Sequence, residues 1–162
     1  MQDPAWIVEA RKYIGQREIK GAKTNGFISI WLKTLKAWWS DDEQPWCGVF
    51  VAHCIQSAGL PIPKNWMRAT DWLSIGKVLP KPAEGCIVVF SRAGGGHVGF
   101  VVGKSASGNL MVLGGNQGDA VRISEFSLDR VIGYRWPSVA PLPERYNLPI
   151  IGSDGKLSTN EA

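Results

Sequence analysis

The chain has 162 residues, 44% of them hydrophobic and 20% charged, with a net charge of +4 and an isoelectric point near 9.1. That usage excludes a disordered or fibrous chain, and the length allows one core without disulfide or metal staples. Residues 1–81 carry 11 basic and 7 acidic side chains and residues 82–162 carry 7 of each, so the positive excess lies in the first half; with no dense Lys/Arg run or nucleic-acid motif, it suits an anionic wall polymer better than nucleic acid.

In chain order, Asp3 reads as an N-cap, Pro4 as the first helical residue and Gly15 as the stop of a first helix. Trp6, Ile7, Ala10 and Ile14 recur there at helical spacing. A second helix is expected from about Phe27 to Trp39, with Phe27, Trp31, Leu35 and Trp38 on one stripe. The polar loop SDDEQP (40–45) follows. A third helix should start at Trp46 or Cys47, after Pro45, and stop at Gly59. Its apolar face would be Cys47, Phe50, Val51, Cys54, Ile55 and Ala58. A short helix is expected around Arg68–Ile75.

From Pro80 the period becomes that of strands. CIVVF (86–90), HVGFVVG (97–103), NLMVLGG (109–115), AVRISEF (120–126) and VIGYRW (131–136) are short, rich in β-branched residues and separated by turn residues. Helices followed by a meander of about five antiparallel strands define an α+β fold. Residues 1–140 read as one catalytic domain, and 141–162 as a C-terminal tail that either wraps it or is partly disordered.

Nucleophilic cysteine catalysis needs a thiol, a base beside it and a polar group that orients the base. Cys47 stands where a helix begins, and unsatisfied N–H groups there favour a thiolate. Gly48 beside it is expected to leave room for substrate. The chain has two histidines. His53, six residues on, would lie about 600° around the helix and about 9 Å along it, pointing away from the thiol. His97 opens a strand after Gly94-Gly95-Gly96 and is the expected base. Asn116, in the turn GGNQG (114–118), is the expected orienting group, with Gln117 and Asp119 as rivals. Cys54 and Cys86 are expected to be small buried hydrophobes, and most of the eight tryptophans to be core. Trp46, Gln44 and Asp42 are the candidate substrate contacts.

The blocks PWCGVFVAHCIQSAG, GGGHVGFVVG, LGGNQGDAV and VIGYRWP, in this order between Gln44 and Pro137, resemble NlpC-type, CHAP-like cell-wall cysteine peptidases, especially small amidase-type lysins. The resemblance implies a papain-like fold. It also implies cleavage of peptidoglycan at a stem-peptide or muramoyl–L-alanine amide bond, with Cys47 and His97 as dyad and Asn116 as third member. Two positions depart from the family pattern. Glu84-Gly85-Cys86 replaces a Gly-Asp pair at the entry to the sheet, and Trp46 stands where many relatives have Asp.

No cofactor and no metal are expected; a zinc site would have to be forced from Cys86, His97 and Asp119, which lack ligand spacing. The expected partner is bacterial peptidoglycan, with neither nucleic acid nor stable membrane insertion, and the chain is expected to be a monomer. The charged start MQDPAWIVEARKY is no secretory signal. The chain should therefore be made in the cytoplasm and reach the wall or periplasm through a holin or a secretion machine. The competing reading is a non-catalytic wall-binding or virion structural module on the same fold.

Overall fold

Three helices precede an antiparallel sheet in the computed structural model, which describes residues 2–17, 26–36, 46–92 and 95–152. Helix α1 spans Ala5–Arg11 and its N-cap is Pro4, in extended conformation. The N–H groups of Ile7 and Val8 donate to the Pro4 carbonyl at 2.9 and 3.0 Å. This corrects the expected cap: the helix starts one residue late, and the Asp3 carboxylate instead accepts from Arg11 Nε at 2.8 Å. Helix α2 spans Gly26–Thr34, with Ile28, Trp31 and Leu32 buried. Trp31 and Leu35 of the expected stripe are buried, Phe27 is exposed, and Ile28 and Leu32 widen the buried face. Trp38 and Trp39 lie outside the described residues.

Helix α3, Cys47–Ser57, starts where the sequence places it. Its burial is wider than one face: Val49 and Ala52 are buried along with Cys47, Phe50, Val51, Cys54 and Ile55. A helix apolar nearly all round must be packed nearly all round. Here α1 and α2 as well as the sheet pack against it. The expected fourth helix is a 3-10 helix, Ala69–Ser74.

Six strands follow: β1 (Lys77–Leu79), β2 (Ile87–Arg92), β3 (Gly95–Lys104), β4 (Leu110–Gly114), β5 (Arg122–Phe126) and β6 (Val131–Trp136). They form one antiparallel sheet in the order β1-β6-β2-β3-β4-β5. Strand β1 is the one that periodicity does not reveal. Three residues are too short for an alternation signal, and what makes them a strand is pairing with β6. The result is α+β and papain-like, with helices first and the sheet after them.

Six of the tryptophans (Trp6, Trp31, Trp46, Trp66, Trp72 and Trp136) are buried in the core. Buried indole N–H groups are satisfied where they lie: Trp6 donates to the Gly85 carbonyl at 2.7 Å and Trp72 to that of Trp66 at 2.9 Å. After β6 the chain returns over the sheet. The Glu84 N–H donates to the Arg145 carbonyl at 2.7 Å, and the Lys104 N–H to that of Pro149 at 2.8 Å. No helix among the described residues is long and apolar enough to cross a membrane.

Candidate active site

Cys47 is the first residue of α3. Strand β3 begins at Gly95, but its ladder with β4 begins only at Phe100, opposite Leu113. The backbone at Val98, beyond the end of that ladder, and at Gly48 and Cys47 itself favours negative charge on the Cys47 sulfur. The nucleophile candidate therefore sits one residue along β3 from His97.

Burial decides the protonation of both groups. It pushes the Cys47 thiol up, against the lowering effect of those three backbone groups and of the Arg92 charge. The expected helix-start effect is present, but it loses to desolvation. Burial also pulls His97 down to about 4, only partly offset by its hydrogen bond to Gln117, and Arg92 and Arg130 act in the same downward direction. Burial thus favours the uncharged form of each group.

The orientation of His97 is over-determined. Its Nε2–H donates to Gln117 Oε1 at 2.8 Å. The Gln117 amide nitrogen donates to the Val112 carbonyl at 3.0 Å and to the Arg122 carbonyl at 2.8 Å. With both amide hydrogens engaged, the oxygen is the end that faces the imidazole. The Nε2 nitrogen then carries the proton, and Nδ1 is left with its lone pair. The ring faces are held by aromatic neighbours: Phe126 stacks on His97 at 5.3 Å and on Phe90 at 4.8 Å.

The side chain at His97 is thus Gln117 and not Asn116. Continued to the strand ends, the β3/β4 register sets His97 across from Asn116, which is why the sequence favours it. Asn116, however, adopts φ of 58°, in the left-handed region. The strand ends there, and the next side chain swings back under the imidazole. Gly114 makes this possible, since a Cβ at that position would collide with Gln117 Oε1 and stand 3.5 Å from His97 Nε2. That glycine was the available sequence signal for Gln117, as the hairpin register was for Phe90, which pairs with His97.

Other expected site residues lie elsewhere. Trp46 is wholly buried, with its ring packed at the N-terminus of α3 near Gly115, so it is core and not a substrate-facing surface. Gln44 and Asp42 lie outside the described residues. Gly48 does not open space for substrate: a Cβ there would collide with the Trp66 carbonyl, so the residue admits the neighbouring backbone. His53 points away from Cys47, donating to Glu9 Oε2 at 2.8 Å and stacking on Trp31 at 5.1 Å. Cys54 and Cys86 are buried free thiols, pushed up by burial, Cys86 to about 12. Among the described residues no three His, Cys, Asp or Glu side chains are gathered to hold a metal, so Cys86, His97 and Asp119 are no ligand set.

A cysteine at a helix start, a histidine near a strand start and an amide bonded to one imidazole nitrogen make up the candidate thiol site. Residues 39–116, a segment running from before α3 to just past β4, match the CHAP domain family. CHAP domains are peptidoglycan-hydrolysing amidase or peptidase domains with a papain-like cysteine nucleophile, which supports a peptidoglycan-related hydrolase or amidase function in general. Comparison with curated proteins gave no match.

Proposed function

We propose that the protein hydrolyses an amide bond of peptidoglycan, within the stem peptide or at the muramoyl–L-alanine junction, through a Cys47 thioester. The observation that carries this reading is the fixed tautomer of His97: Gln117 holds Nε2–H, leaving Nδ1 to receive the thiol proton. Cys47 Sγ attacks the carbonyl carbon as its proton passes to His97 Nδ1. The Cys47 N–H, at the open start of α3, is the donor proposed for the resulting oxyanion. His97 then protonates the leaving amine, the C–N bond breaks and an acyl thioester remains. Water attacks the thioester, His97 takes its proton and returns it to sulfur, and the carboxylate product leaves.

Such a pair works without a resting thiolate, because the proton moves as the bond forms. Mass spectrometry of fragments from a purified sacculus digest tests the reading and identifies the bond. New amino and carboxyl ends at a single bond type are expected, abolished by iodoacetamide and unaffected by a chelator. Digestion that survives alkylation but not chelation would assign the chemistry to a metal enzyme instead.

A further inference from the structure

Two arginines lie at the strand ends beside His97, and among the described residues neither guanidinium has a hydrogen-bond or ion-pair partner. Phe90 on β2 pairs with His97, and Arg92 pairs with Gly95 two positions on, so Phe90, Arg92 and His97 belong to one face of the sheet. Arg130 immediately precedes Val131, which pairs with Phe90 from the opposite side. The Ser91 hydroxyl donates to the Arg130 carbonyl at 3.4 Å, tying that turn to the end of β2. Both arginines are exposed. Among the described residues no ion pair joins Asp129, the neighbour of Arg130, to either arginine. Their charges reach the chemistry, since both disfavour a protonated His97 and Arg92 favours a Cys47 thiolate.

Two guanidinium groups without a partner among the described residues, beside a buried imidazole, raise the local concentration of anions there. Guanidinium matches carboxylate in a planar, two-bond geometry that an ammonium cannot reproduce. Stem peptides carry free carboxylates, and some walls convert these to carboxamides of the same shape. We propose that Arg92 and Arg130 form a carboxylate-binding subsite that selects stem peptides bearing a free acid beside the bond cleaved. This rests on the hydrolase reading above and adds its substrate preference.

The test uses two synthetic stem peptides that differ in one carboxylate, free in one and amidated in the other. The wild-type protein should prefer the acid by about ten- to a hundredfold in kcat/KM, mostly through KM, the range for a charge-assisted hydrogen bond. Arg92→Gln and Arg130→Gln should each shrink that ratio, and the double variant should bring it near one. Arg92→Lys should keep part of the preference, and added salt should weaken it. Lys77→Gln, which removes an equal charge from exposed β1, should leave the ratio as in the wild type. A wild-type ratio near one, or an undiminished ratio in the double variant, would overturn the subsite while leaving hydrolysis intact. Should neither peptide be cut, calorimetric binding of both peptides to Cys47→Ala decides: preference for the acid upholds the subsite without the hydrolase, and equal binding removes it.

Discussion

Gln117 carries the sharpest prediction at the scale of single residues. Its amide joins His97 to the carbonyls of Val112 and Arg122, so its loss frees the imidazole and leaves buried carbonyls unpaired. An orienting group acts through the base, and removing it should lower turnover by roughly one to three orders of magnitude. Gln117→Ala is therefore expected to cripple wall digestion while leaving Cys47 open to iodoacetamide. Asn116→Gly, suited to a φ of 58°, should digest within a few-fold of wild type. Kinetics of both variants check this, and the reverse ranking would return the third role to Asn116. The residue type was legible in the sequence as an amide in the GGNQG turn. Which of two adjacent amides faced the histidine was not, because one left-handed residue reverses the side-chain direction and no spacing rule registers it.

Among the elements, α3 sits where its apolar spacing, the preceding proline and Gly59 placed it, yet its environment was only half visible. Periodicity marks the face that meets the sheet. It does not mark the second covering layer, since α1 and α2 reach α3 through tertiary contact. The same limit hid the role of Gly48, whose neighbour, the Trp66 carbonyl, is distant in sequence. Gly48→Ala drives a methyl into backbone that cannot rotate away, and overpacking of this kind destabilises by about 1–3 kcal/mol. A denaturant titration should show a lower midpoint at unchanged slope. An unshifted midpoint would mean that the first turn of α3 has slack, and the placement of Cys47 would then rest on less than close packing.

For the whole molecule, buried His97 and half-buried Glu9 shape how stability responds to acid. His97 falls from 6.5 in the unfolded chain to about 4 in the fold, so between those values the unfolded chain binds the extra proton. Stability from this group is complete above pH 6.5 and is lost as pH falls toward 4, an effect of about 3 kcal/mol at 1.36 kcal/mol per pKa unit. Glu9 acts lower. Burial alone would raise it, but hydrogen bonds from Lys12, His53 and Tyr13 hold it at about 2, so its share goes between pH 4.5 and 2. Denaturation midpoints of the wild type and His97→Phe across pH 7 to 3.5 separate the two. The difference between the profiles should change between pH 6.5 and 4 and then level. Parallel profiles throughout would show that His97 is not buried in the neutral form.

The sheet was legible because its strands are short β-branched runs separated by turn residues; only β1 was too short to register. The pairing of a helix-start cysteine with a strand-start histidine was legible as well. The buried state of both was not, because burial belongs to the assembled layers and not to either segment. The central claim is that Cys47 is the nucleophile of a wall hydrolase, and digestion of purified sacculi by wild type and by Cys47→Ala at equal concentration tests it most directly. The account predicts release of new amino groups by the wild type and none above background by the variant, with unchanged folding by circular dichroism. Release by Cys47→Ala within tenfold of the wild type would contradict it.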